Sequence, residues 1–147
     1  MLHLASAMNL LLAAFHIGIV FVGAPGYRYF RAPEEFAIRA AAGDPAPALI
    51  TLAIAGVFLA WSAYAASAAG LIRRLPMTRP AVGVIAAIFL LRGLFVIPQL
   101  LQAAGLIDGI AEAEPRDIVF SASAFVIGAI HAIGLWTLFQ EEKPCRQ

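Results

Sequence analysis

PAVGVIAAIFLLRGLFVIPQLLQAA, residues Pro80–Ala104, decides how this chain is read. The run is apolar and long enough to cross hydrocarbon as a helix, yet it carries an arginine, Arg92, near its middle. A charged side chain at the bilayer centre costs from about 2.5 to more than 10 kcal/mol depending on how it is measured, so it normally faces protein, water or a partner. What Arg92 faces is therefore the first question about function.

The rest of the composition agrees with a membrane solvent. The chain has 147 residues, is 62% hydrophobic and only 13% charged, and has a mean hydropathy of +0.87, well beyond the roughly half-apolar make-up of soluble domains. A net charge of +1 and the lack of a basic cluster interleaved with aromatics give no footprint for nucleic acid. The one cysteine, Cys145, supports neither a disulfide framework nor a cysteine metal site within one chain.

Working outward, four apolar segments approach the roughly 20 residues that a spanning helix needs: Leu4–Val22, Ala48–Leu71, Pro80–Ala104 and Ile118–Phe139. The first lacks the positive n-region of a signal peptide, and a cut after Ala24 would set Pro25 beside the scissile bond, so it is expected to stay as a span. Between the first two spans lies GAPGYRYFRAPEEFAIRAAAGDPAP, residues 23–47. Pro33, Glu34 and Glu35 suit a helix start, Glu35 and Arg39 form an i,i+4 pair, and Gly43 suits an exit, which predicts a short interfacial helix over 33–42. Tyr27, Tyr29 and Phe30 read as an interfacial aromatic belt with Arg28 and Arg31 beside it. Asp44-Pro45, Thr78-Arg79-Pro80 and Glu114-Pro115 then open the second, third and fourth spans. The expected architecture is all-α: one transmembrane domain over residues 1–147, a four-helix bundle with a short interfacial helix between spans 1 and 2.

Loop charge orients it. One side carries Arg73, Arg74, Arg79, Lys143 and Arg146, the other Arg28, Arg31, Arg39 and Arg116, and the loop holding Asp108, Glu112, Glu114 and Asp117 is acidic. The purely basic second loop favours both termini in the cytoplasm of a bacterial-type inner membrane. At about 1.5 Å per residue, His16 and Arg92 then fall about 18–20 Å in from the cytoplasmic end, and His131, Tyr64, Ser62 and Asn9 about 9–14 Å in. Gln99 shares a face with Arg92 and Asn9 with His16, because seven residues are about two turns. If those faces look inward, a polar column runs from Asn9 and His131 through His16 and Arg92 to Gln99. Ser121 and Ser123 lie deeper toward the far side.

Gly56-x-x-x-Ala60 and Ala124-x-x-x-Gly128 would let helix backbones approach closely, although so alanine-rich a chain produces such patterns by chance. Pro98 removes a donor and frees the carbonyl near Leu94, which is expected to kink the third span or supply an acceptor near Arg92.

Several chemistries compete for these residues. Arg92 is either a strut satisfied by carbonyls or an ion pair, or the anchor of a ligand. Its candidate acidic partners, Glu34, Glu35 and Asp117, start outside the hydrocarbon, which leaves His16 as the nearest expected neighbour. His16 and His131 are either satisfied core histidines or, across spans 1 and 4, axial haem ligands separated by an estimated 7 Å or so in depth. Zinc motifs, a G-x-S-x-G elbow, a dinucleotide fingerprint and a phosphate loop are missing from the sequence.

The order of a short N-terminus, a span with His16, the exit sequence GAPGYRYFRAPEEFA and three further spans resembles the small four-helix bacterial membrane proteins that include the DoxX-like ones. The resemblance covers the whole chain as architecture, with Gly23–Ala37 and Leu91–Gln99 its motif-like parts, and it carries over no catalytic or binding residue. It implies a membrane-embedded partner or accessory subunit, sometimes of a respiratory or redox system.

The expectation is thus a small, non-enzymatic integral membrane protein. It would bind a lipophilic small molecule, or a membrane protein partner or second copy, through Arg92, His16, Gln99, Tyr64, His131 and Asn9, in contact with membrane lipid and not nucleic acid. An accessory subunit, or a redox protein using haem or quinone, is the alternative.

Overall fold

A computed structural model describes residues 1–108 and 114–141. Glu112, Lys143, Cys145 and Arg146, used above for charge and thiol chemistry, lie outside the described residues. The described residues form helices and no strands: α1 (Leu2–Val22), α2 (Ala24–Tyr29), α3 (Glu34–Ala41), α4 (Ala46–Ala68), α5 (Thr78–Gly93), α6 (Val96–Ala103) and α7 (Pro115–Glu141). Four helical stretches are long and apolar enough to cross a membrane: Leu2–Val22, Ala46–Ala68, Thr78–Ala103 and Pro115–Gln140. Only 17–33% of each is buried inside the molecule, so most of their apolar side chains look outward. That is the arrangement that lipid, rather than water, favours.

The chain divides into two compact units, Ser6–Ala63 and Met1–Ala5 together with the chain from Tyr64 onward. Within the first, Ser6 Oγ donates to the Ser62 carbonyl at 3.0 Å and Ser62 Oγ donates to the Ser6 carbonyl at 2.9 Å, a reciprocal clamp between α1 and α4. In hydrocarbon such bonds satisfy hydroxyls that have no water to turn to. Gly23, at φ +71°, ends α1 in a conformation that favours glycine, and the chain turns into α2. There Tyr27 packs with Ile19 and Ala37 in a small core, 3% exposed, edge-on to Phe36, and its hydroxyl accepts a bond from Thr51 at 3.3 Å. Tyr27 is therefore a packing residue and not part of an aromatic belt; Tyr29 and Phe30 are the exposed pair, stacked edge to face.

Helix α3 covers Glu34–Ala41, with Pro33 as its N-cap rather than in its first turn. Arg28 pairs with Glu34 at 2.9 Å, and Arg39 bonds Asp44 at 2.7 Å with Glu35 at 3.7 Å. Asp44 also accepts the Ala46 backbone N–H at 2.8 Å and so caps α4. That backbone bond and then the Arg39 bond hold the Asp44 carboxyl below its ordinary range.

In the second unit α5 packs chiefly on α7. The approach is close enough that a Cβ on Gly93 would lie 2.5 Å from the backbone of Phe125, and one on Gly128 2.7 Å from the Leu90 nitrogen. The Ala124/Gly128 pattern is thus used for packing at Gly128, whereas Gly56 and Ala60 are exposed and nothing lies within 4 Å of a Cβ on Gly56. The third span is interrupted at Leu94–Phe95, between α5 and α6. Pro98 has no N–H to give the Leu94 carbonyl, and Ile97 N–H takes that acceptor instead at 3.1 Å, a tight i→i+3 bond. The carbonyl expected to be free near Arg92 is consequently occupied.

Gly93→Ala should lower stability by about 1–3 kcal/mol, since its methyl group meets backbone that has no rotamer to yield. Gly56→Ala, in open space on a helix, should be neutral or stabilise by up to about 1 kcal/mol. Thermal unfolding of both variants in detergent distinguishes them; equal effects would contradict the α5–α7 contact.

Candidate functional site

Arg92 occupies the last turn of α5, about 16 Å of helix before Ala103. Its Nη1 donates to Ser121 Oγ of α7 at 3.0 Å, and its guanidinium lies 5.9 Å from the centre of the Phe95 ring. The arginine as a whole is exposed, whereas Ser121 is 0% exposed. Gln99, seven residues along the same span, meets the same hydroxyl from the other side. With its amide turned so that nitrogen faces acceptors, it donates to Ser121 Oγ at 2.9 Å, to the Asp117 carbonyl at 3.2 Å and to the Phe95 carbonyl at 3.3 Å. One hydroxyl with two lone pairs thus accepts from both Arg92 and Gln99.

The close helix contact fixes the depth of this cluster. Gly93 abuts Phe125, and Ser121 lies one turn, about 6 Å, nearer the start of α7. The guanidinium is therefore drawn from the middle of its span toward the α6 end, as long cationic side chains are when they lie in hydrocarbon. Within its own unit the guanidinium lies beside Ser121.

No carboxylate among the described residues lies within 4.0 Å of the Arg92 guanidinium. The acids expected to reach it have local partners: Glu34 is held by Arg28, Glu35 by Arg39, and Asp117 Oδ2 accepts the Glu114 backbone N–H at 3.0 Å at the start of α7. From Pro45 to Ile107 the sequence contains four arginines, Arg73, Arg74, Arg79 and Arg92, and no acidic residue.

Of the other expected site residues, His131 and Tyr64 belong to the same unit as Arg92. His131, on α7, is 0% exposed; its Nδ1 bonds the Ile127 carbonyl at 2.8 Å and its ring stacks on Phe89 at 5.7 Å. It sits ten residues from Ser121, about 15 Å along the helix. Tyr64 is half-buried near the end of α4. In the Ser6–Ala63 unit, His16 is half-buried, bonds the Leu12 carbonyl through Nδ1 at 2.8 Å and tilts against Phe58 at 5.0 Å; Asn9 is fully buried. Of the four that share a unit, Arg92, Gln99, Tyr64 and His131, the structure brings Arg92 and Gln99 to one point. Ser121, which joins them, is a polar position the sequence reveals but whose side of the helix it does not. Among the described residues no group of three or more His, Cys, Asp or Glu could hold a metal ion.

Compared with protein-family models, curated proteins and solved structures, the chain has no match.

Replacing Ser121 with Ala should destabilise the protein by about 1–3 kcal/mol, because the exposed Arg92 and the half-buried Gln99 lose the buried acceptor they share. Ser123→Ala should be near neutral, since Ser123 is exposed and bonds only the Val119 carbonyl of its own helix. Calorimetry in detergent reads the difference; a Ser121→Ala protein as stable as Ser123→Ala would contradict the shared hydroxyl.

Proposed function

We propose that this is a small integral membrane protein of four spans that binds a lipophilic molecule with an acidic headgroup, held by Arg92. The observation that supports this reading is an exposed guanidinium, drawn toward one end of a span, whose described partners are a neutral hydroxyl and an aromatic ring. Ser121 and Gln99 orient and rigidify the cation without neutralising it, so its charge is available to an anion from outside the described chain. A guanidinium suits carboxylate and phosphate alike through its planar fork of donors, and the exposed apolar side chains of Leu91, Leu94 and Phe95 suit the tail of such a molecule. In this reading the protein resides in a bacterial-type inner membrane, with the Arg73/Arg74/Arg79 loop and both termini cytoplasmic and α3 on the opposite membrane surface.

A second reading, an accessory subunit of a larger membrane complex, is favoured by the exposed Gly56 and Ala60 on α4. That small-residue face would admit the backbone of a helix from another protein.

Mass spectrometry of lipophilic material extracted from protein purified in mild detergent tests the first reading. Wild type should carry an acidic amphiphile, and Arg92→Leu should retain about 10–100-fold less, the loss expected for one charge-assisted bond, with its unfolding temperature preserved or raised. Equal content in the two proteins would overturn the proposal.

A further inference from the structure

Only one corner of the Arg92 guanidinium is engaged. Its bond to Ser121 leaves from Nη1, the nitrogen on the Cδ side of the group, and the Phe95 ring lies against it at 5.9 Å. The opposite edge, Nε–H beside one Nη2–H, meets no partner among the described residues. That edge is a planar fork of two donors, the geometry that takes both oxygens of a carboxylate at once. We infer that the ligand of this site, on the reading that Arg92 holds an acidic amphiphile, is a single-chain carboxylic acid, a long-chain fatty acid, and not a phospholipid.

The neighbours of the guanidinium supply the first reason. Glu114 pairs with Arg116 at 2.8 Å, Asp117 Oδ2 accepts the Glu114 N–H at 3.0 Å and Asp108 is exposed; none of these acids lies within 4.0 Å of Arg92. Ser121 accepts from both Arg92 and Gln99, and the Gln99 amide nitrogen donates to Ser121 and to backbone carbonyls. The free edge of Arg92 therefore satisfies a carboxylate completely. A phosphodiester adds ester oxygens and a polar headgroup, for which the described residues at this point hold no further donor.

Depth supplies the second. The third span, Thr78–Ala103, has 26 residues and a length of about 39 Å, so it passes the roughly 30 Å of hydrocarbon by about 4–5 Å at each end. Ser121 lies six residues, about 9 Å, inside the start of α7, and Gln99 four residues, about 6 Å, inside the end of α6. The guanidinium that meets Ser121 is thus just inside the hydrocarbon, beneath the level of lipid phosphates. A fatty acid reaches that depth as the neutral acid and ionises beside the cation, its proton leaving to water, whereas a phosphodiester would enter only as an ion.

The tail has a path. Val84, Ile88, Leu91 and Phe95 share one face of the span by helical period and are all exposed, which gives about 12 Å of apolar surface running from Arg92 back to Val84 and the bilayer interior.

The full-length protein in nanodiscs of phosphatidylcholine, mixed with equal amounts of palmitic acid, palmitoyl lysophosphatidylglycerol and hexadecanol and analysed by native mass spectrometry, tests this. Wild type should retain palmitic acid about tenfold more than the lysolipid and about 10–100-fold more than the alcohol. Arg92→Leu should lower palmitic acid to the level of hexadecanol, and Arg92→Lys, which keeps the charge but not the fork, should lower it about tenfold. Arg73→Gln, which removes a charge from the loop before α5, should leave it unchanged. Arg92-dependent retention of the lysolipid in preference to palmitic acid would overturn the fatty acid and leave the Arg92 reading standing. Retention of neither anion above hexadecanol, or equal retention in wild type and Arg92→Leu, would overturn both.

Discussion

The close approach of α5 and α7 at Gly93 and Gly128 is the constraint on which the Arg92 site depends. In lipid, helices gain little by hiding apolar surface from one another, so contact is stabilised by packing and by hydrogen bonds that small residues permit. Two glycines bring the backbones together, and only then does the Ser121 hydroxyl come within 3.0 Å of the Arg92 guanidinium. The break at Leu94–Phe95 serves the same cluster from the other direction, since α6 carries Gln99 to the same oxygen. Among the described residues the charge is thereby positioned rather than cancelled. A salt bridge would have made Arg92 a strut; in the proposed function the shared neutral hydroxyl leaves its charge for a ligand.

Much of this was legible in the sequence, and the reasons are physical. Spans are set by the thickness of hydrocarbon, and their starts by local cap chemistry, which is why Asp44 and Pro115 mark the beginnings of α4 and α7. Arg92 and Gln99 shared a face by helical period alone. The partner, Ser121, was hidden because a long side chain carries its charge a full turn away from its Cα. Pro98 announced a break, but whether the Leu94 carbonyl stays free depends on a neighbouring N–H tightening its turn, which no pattern of residue types encodes. Similarly, two small-residue patterns looked alike, and only the fold separates Gly128, wedged against Leu90, from Gly56, where an added Cβ would meet nothing within 4 Å among the described residues. Tyr27 looked like its exposed neighbours until α2 turned it inward.

The chain's charges also have a division of labour. Acids are spent locally: Glu34, Glu35 and Asp44 pair with Arg28 and Arg39 around α3, and Asp117 caps the start of α7. Between Pro45 and Ile107 the sequence holds four arginines and no acidic residue. They gather at two levels of the same span, Arg79 at its start with Arg74 just before it, and Arg92 past its middle.

The central claim is that the negative end of the Arg92 site comes from a molecule bound at the surface of α5. A photoreactive residue in place of Leu91, which is 65% exposed beside Arg92, tests it most directly. Illumination in native membranes followed by mass spectrometry should give one dominant adduct with an acidic headgroup, lost when Arg92→Leu is added. Adducts that follow the bulk lipid composition and persist in the Arg92→Leu background would contradict the account.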